Sequence, residues 1–162
     1  MLRAIATPFL FLGVVLVSTG SSFGVNGAES MPCNDPQPCY QAAHLMRNPL
    51  QGTPDLILAE VDRLKVVQQE HPGSLWAKRA GLRIGLLLLA HDPAEALPYL
   101  RSGQRDFPVL QDYVRLWTGK AMSRLNRPVV AAVFFESIPE VVTDTLLTTR
   151  AAYGAGEAWY QG

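Results

Sequence analysis

The sequence predicts an all-α protein, built as a right-handed superhelical array of antiparallel helix hairpins. The main observation is a faint internal repeat, in which Asp92-Pro93 and the helix after it recur about 35 residues later as Arg127-Pro128 and its helix. A period of that size is the length of a two-helix unit, which cannot bury its apolar faces alone and has to stack on neighbours. Apolar residues match across the repeat, with Ala96, Leu97, Tyr99 and Leu100 opposite Ala131, Ala132, Phe134 and Phe135.

Length and composition indicate one domain of ordinary size. The chain has 162 residues, of which 48% are hydrophobic and 17% charged, and such values are typical of a globular protein. Fourteen basic and 14 acidic residues give a formal net charge of zero, and no basic stripe stands out. We expect no nucleic-acid partner, because counterion release from nucleic acid needs such a stripe.

The amino terminus predicts export. Arg3 precedes an apolar run from Ala4 to Val17, and small and polar residues follow up to Gly24. This order is that of a secretory signal peptide, so we assign residues 1–24 to it, with a second candidate cleavage site after Ala28. A retained membrane anchor is disfavoured, because an apolar core of about 14 residues is shorter than the ~20 needed to span a bilayer. We therefore expect an exported protein with no stable membrane span after cleavage.

Residues 25–48 form a Pro-rich leader that holds the two cysteines of the chain, Cys33 and Cys39. In an oxidising compartment, a disulfide between them is the natural interpretation. So small a ring would stabilise the fold by only about 2 kcal/mol, by pinning the leader. A metal pair or a redox site fits poorly, because five intervening residues with two prolines match neither a Cys-x-x-Cys motif nor a zinc knuckle.

Turn and capping signals delimit the first three helices of the array. A short helix is predicted from Tyr40 to about Met46, and a longer one from Pro54 to about Glu70 with Thr53 as its N-cap. Ser74 caps the third helix, whose second half, Ile84–Ala90, is apolar on every side and therefore expected to be buried all round. In the longer helix the buried stripe is predicted as Ile57, Leu58, Val61, Leu64 and Val67, and the solvent face as Glu60, Asp62, Arg63 and Lys65.

Four more helices complete the predicted array. Asp92 caps a helix that runs from Pro93 to about Arg105 and should bend at Pro98. The next helix is predicted from an apolar stripe, and its partner runs from Pro128 to about Ser137, before a final helix that opens near Thr143-Asp144. The apolar stripe is Leu110, Val114, Trp117 and Ala121, extended by Tyr113 and Leu125.

The last predicted helix has no partner after it, although a solenoid unit needs both of its helices. We therefore expect residues 49–162 to be a superhelical domain that stops in mid-repeat, as the front part of a longer protein. Gly154 and Gly156 favour the same interpretation, since a glycine in a helix interior lowers stability by about 1 kcal/mol relative to alanine. That cost makes sense if another helix approaches closely there.

The string from Phe107 to Ala121 carries a family resemblance. Within it, the stretch Leu110-Gln111-Asp112-Tyr113 leads to Gly119-Lys120-Ala121, a glycine-containing "G-x-A" segment. Together with the export signal and the repeat, this resembles the amino-terminal superhelical, tetratricopeptide-like region of the soluble lytic murein transglycosylases. The resemblance covers about residues 50 to 160. It implies a periplasmic protein that contributes to cleaving peptidoglycan glycan strands.

In that family the catalytic glutamate lies in a separate carboxyl-terminal domain, in a Glu-Ser motif followed by Gly-Leu-Met-Gln. The second motif does not occur in this sequence, and Glu136-Ser137 ends a short repeat helix, so we assign no catalytic residue. We expect no cofactor and no metal site either, because His44, His71 and His91 are lone residues near helix ends.

Aromatic residues are the remaining candidates for a binding role. Aromatic faces suit the faces of sugar rings, but helical spacing among aliphatic neighbours favours core packing for most of this set. Trp159 and Tyr160 are the least constrained and are our candidates for contact with glycan or a partner. The set is Trp76, Tyr113, Trp117, Trp159 and Tyr160.

Two functions are consistent with these observations. The first is a noncatalytic superhelical domain of a periplasmic lytic transglycosylase, with peptidoglycan as its partner through the full-length protein. The alternative is a periplasmic tetratricopeptide-like scaffold that binds other envelope proteins. Extended concave surfaces of helical repeats serve either purpose.

Overall fold

Seven α-helices and no strand are present in the computed structural model, which describes residues 33–45, 52–138 and 144–162. The all-α prediction is therefore confirmed for these ranges, which belong to a single structural unit, Met31–Gly162. The predicted signal peptide, 1–24, lies outside the described residues. The helices are α1 (Pro36–Ala43), α2 (Pro54–Glu70), α3 (Leu75–Leu88), α4 (Pro93–Asp106), α5 (Gln111–Arg124), α6 (Pro128–Glu136) and α7 (Thr145–Gln161), with a 3₁₀ turn at Pro108–Leu110.

Side-chain caps fix most of the helix starts that the sequence predicts. The hydroxyl of Ser74 accepts a hydrogen bond from the amide of Ala77 at 3.0 Å, and Asp92 Oδ1 accepts from the amide of Glu95 at 2.8 Å. These contacts satisfy amides that have no partner inside the helix. Thr53 caps α2 in the same way.

The predicted start of the first helix at Tyr40 is wrong. Helix α1 begins at Pro36, because Asp35 caps it by accepting from the amide of Gln37 at 3.0 Å. Pro36 and Pro38 fall in the first turn, where a missing N–H costs no hydrogen bond. Two prolines of the predicted Pro-rich leader therefore lie in the first turn of a helix.

Consecutive helices pack against each other in chain order, and α5 belongs to two apolar clusters. On one side, Val114 and Ala121 of α5 join residues of α1 to α4, among them Leu64, Ile84 and Leu100. On the other side, Leu116 of α5 packs with buried residues of α6 and α7. The second cluster consists of Leu116, Ala131, Ala132, Phe135, Ile138, Leu147, Ala151 and Ala158.

The placement of Glu60 on the solvent face is wrong. Its side chain is 0% exposed, whereas Leu58, which was expected in the buried stripe, is 55% exposed. The Glu60 carboxylate is held on both oxygens: Arg83 Nε of α3 donates to Oε1, and the amide of Leu45 donates to Oε2 at 3.0 Å. A carboxylate is stable in the interior only with such partners, and both come from segments distant in sequence.

Helices α5, α6 and α7 meet around the ring of Phe135. A Cβ atom on Gly119 of α5 would lie 2.5 Å from this ring, and one on Gly154 of α7 would lie 2.9 Å from it. Both glycines therefore leave the space that the ring fills. The close approach predicted at Gly154 is therefore made by Phe135 of α6, a helix that precedes α7 in the chain. Gly156 would meet nothing within 4 Å, so the close approach predicted there is not observed among the described residues.

Candidate functional site

Trp159 and Tyr160 lie on the surface near the end of α7. Trp159 is 51% exposed and Tyr160 is 93% exposed, although both are large and aromatic. The other candidate aromatics, Trp76, Tyr113 and Trp117, are partly buried and pack against the two apolar clusters. The structure thus separates the two terminal aromatics from the set that contributes to the core.

The indole of Trp159 is held in place by α6. Its Nε1–H donates to Oε1 of Glu136 at 2.6 Å. A hydrogen bond to a carboxylate is stronger than one between neutral groups, and this one fixes the ring while about half of the residue's surface stays exposed. Trp159 is therefore oriented as well as exposed.

A shallow groove runs between α6 and α7 beside this pair. Its volume is about 280 Å³, near the lower end of the roughly 300–1,000 Å³ that small-molecule sites occupy. Helical spacing places Trp159 on the same face of α7 as the groove residues Thr148, Ala152 and Ala155. The lining is Phe135, Glu136, Ile138, Thr148, Ala151, Ala152 and Ala155. A cleft does therefore lie at Glu136, which the sequence did not indicate.

Glu136 places a hydrogen-bond acceptor at the edge of the groove. It is the one acidic residue among the described residues that line the groove, and it is exposed. One solvated carboxylate that already accepts from an indole N–H provides a hydrogen-bond acceptor beside an aromatic face.

The amino end of α7 is tied to α5 by Asp144. Its Oδ1 accepts from the amides of Leu146 and Leu147 at 3.0 and 3.1 Å, and its Oδ2 accepts from the hydroxyl of Tyr113. The Tyr113 hydroxyl and these two amides lower the pKa of Asp144. The same hydrogen bond raises the pKa of Tyr113. This contact holds the helix that carries Trp159.

The Tyr113–Asp144 hydrogen bond predicts how Tyr113→Phe changes the pH dependence of stability. A carboxylate with a lowered pKa stabilises the fold above its ordinary value of 3.8, and this contribution is lost as the pH falls through the lowered value. A phenol with a raised pKa stabilises the fold below its ordinary value of 10.0, and this is lost as the pH rises through the raised value. We expect the variant to be less stable than the wild type near neutral pH, with a difference that shrinks at both extremes.

Urea midpoints of the two proteins at about pH 3, pH 7 and pH 11 measure this difference. Tyr160→Phe, which removes a hydroxyl from a 93% exposed ring, is the control and should follow the wild type at each pH. An equal difference between Tyr113→Phe and the wild type at all three values would contradict the assignment.

Cys33 and Cys39 are joined by a disulfide, with Cα atoms 5.6 Å apart. His71, which follows the last turn of α2, contacts this segment through its Nε2, 2.7 Å from the carbonyl oxygen of Cys33. The two sulfur atoms and a His71 ring nitrogen lie within 4.8 Å of one another. Sulfur atoms bonded to each other are not the thiolates that bind a metal, so this group attaches the leader to α2.

Within the described ranges, every helix is too short or too polar to cross a bilayer. No protein-family model, curated protein or solved structure matches the chain.

Proposed function

We propose that the chain is a noncatalytic superhelical module of a periplasmic peptidoglycan lytic transglycosylase, and that the α6–α7 surface around Trp159 holds glycan. The observation that carries the proposal is the exposed indole of Trp159, oriented by Glu136 beside a groove. The packing of α3 on α4 and of α5 on α6 supports the arrangement in hairpins.

The chemistry of this surface suits a sugar ring. One face of a pyranose carries C–H bonds, and these bonds are attracted to the negative face of an aromatic ring. The hydroxyl and amide groups at the edge of an N-acetylated sugar then need polar partners, which the Glu136 carboxylate and the Thr148 hydroxyl supply. Tyr160, next to Trp159, adds a second aromatic ring at the surface.

Cosedimentation of the full chain with purified peptidoglycan tests the proposal. We expect the wild type to pellet with the polymer, and Trp159→Ala to bind about tenfold more weakly or worse, as is usual when a central aromatic contact is lost. Leu58→Ala is the matched control, because it also truncates an exposed apolar side chain, on α2. Far-UV circular dichroism checks that each variant is folded.

Two outcomes would contradict the glycan proposal. One is a wild-type chain that stays in the supernatant. The other is a folded Trp159→Ala protein that pellets like the wild type.

The alternative, a scaffold for other envelope proteins, is favoured by a different observation on α6. Val129, Val130 and Val133 are 52%, 42% and 58% exposed, so three apolar side chains of one short helix face solvent. Contiguous exposed apolar surface is typical of protein interaction sites. A Val133→Asp protein that loses an envelope partner but still binds peptidoglycan would show that the two functions use different parts of α6 and α7.

A further inference from the structure

A second groove, remote in sequence from α7, lies between α3 and the turn that joins α4 to α5. Its volume is about 370 Å³. Its lining combines two arginines with apolar and aromatic side chains: Tyr40, Arg79, Leu82, Arg83, Phe107 and Leu110. The composition differs from that of the α6–α7 groove, which contains no basic residue among the described residues that line it.

The two arginines of this groove differ in whether a carboxylate neutralises their charge. Arg83 forms an ion pair with the buried carboxylate of Glu60, which neutralises its charge. Arg79, one helical turn earlier, is exposed and forms no ion pair with any described carboxylate. The groove therefore carries a net charge of about +1, located on the Arg79 guanidinium.

Aromatic contacts position Arg79. Its guanidinium carbon lies 4.5 Å from the centre of the Trp76 ring, and the Tyr40 ring lies beside that ring with centroids 5.3 Å apart. Stacking on an aromatic face leaves the edges of a guanidinium accessible, and those edges carry the N–H donors. Such an edge pairs with a carboxylate through two parallel hydrogen bonds.

The rest of the groove is apolar. Leu82, Phe107 and Leu110 are half-buried, so each offers part of its surface to a ligand. Val109 stands beside them on the 3₁₀ turn with 94% of its surface exposed. A ligand that fits has one negative charge for Arg79 and an apolar group next to it.

We propose that this groove binds the carboxyl terminus of a peptide or protein whose last side chain is apolar. The terminal carboxylate pairs with Arg79, the last side chain contacts Leu82, Phe107 and Leu110, and the preceding residues leave through the open side of the groove. Charge complementarity selects this occupant, because the Arg79 guanidinium, which pairs with no carboxylate of the described residues, matches one carboxylate. The inference does not depend on the glycan proposal, which rests on α6 and α7.

Titration calorimetry with two synthetic peptides tests the inference on the full chain. The probe is acetyl-Gly-Ser-Gly-Ala-Leu with a free carboxylate, and its control is the same peptide with an amidated end. We expect the acid to bind at least about tenfold more tightly than the amide, since only the acid can form a charge-assisted pair with the Arg79 guanidinium. Arg79→Gln should remove that preference, and the matched variant Arg63→Gln, on the solvent face of α2, should keep it.

A second probe separates a peptide site from a general anion site. Replacing the last leucine of the peptide with aspartate should weaken binding, and inorganic phosphate should compete poorly. Equal binding of acid and amide, unchanged binding to folded Arg79→Gln, no binding of either peptide, or equal competition by phosphate would each overturn the inference.

Discussion

Glu60→Ala lowers the free energy of unfolding by about 3 kcal/mol, the lower end of the range for breaking a buried ion pair. The substitution leaves the amide of Leu45 without its acceptor and Arg83, whose side chain is only 16% exposed, without the Glu60 carboxylate. A buried charge that loses its partner retains its desolvation cost, which is why removing one member is expensive.

Urea unfolding, followed by circular dichroism, measures this loss. Glu70→Ala is the matched control, because Glu70 ends the same helix in an exposed position, and its effect should stay within about 0.5 kcal/mol. The double variant Glu60→Leu with Arg83→Met removes both charges and should be more stable than Glu60→Ala. A Glu60→Ala protein as stable as the control would show that the pair does not contribute as described.

Gly119→Ala destabilises the protein by about 2 kcal/mol, although alanine is the better helix former by about 1 kcal/mol. The added methyl group would lie 2.5 Å from the Phe135 ring, which is itself confined on its other side by Gly154. The ring cannot move away without disturbing α7, so the cost of overpacking exceeds the gain in helix propensity.

Gly156→Ala is the matched control for this prediction. It adds the same methyl group to a helix, at a position where nothing lies within 4 Å, and should stabilise the protein by up to about 1 kcal/mol. In a Phe135→Leu background, Gly119→Ala should cost less, because the smaller side chain leaves room for the methyl group. Destabilisation by Gly156→Ala, or stabilisation by Gly119→Ala, would contradict the packing around Phe135.

Local signals predicted most of the helix boundaries. Thr53, Ser74 and Asp92 cap helices where the sequence places caps, because an N-cap acts within three residues of its own position. Proline was a less reliable signal in the leader, since Pro36 opens α1 where no helix start was predicted. In the sequence alone, a proline in the first turn of a helix is distinguished from one in a leader only by an N-cap residue before it, here Asp35.

Nonlocal partners explain what the sequence did not predict. A lone glutamate between apolar residues is read as solvent-facing, and only the tertiary structure places Arg83, 23 residues later, against Glu60. The groove at Glu136 needs α7 packed across α6, and the groove at Arg79 needs the turn near Phe107 beside α3. The Trp76 and Arg79 spacing of three residues was a local signal for the second groove, since it places an aromatic ring and a cation on neighbouring positions of one helix.

Helix α5 contributes one face to each of the two apolar clusters. If α5 unfolds, both clusters therefore lose buried residues. In amide hydrogen exchange, this makes α5 the segment expected to open last, with protection that approaches the global unfolding free energy. A ligand that bound either groove would slow exchange in this central helix, because it would stabilise the folded state in which the amides of α5 are protected. Ligands of two grooves that share no lining residue would in this way act on the stability of one helix.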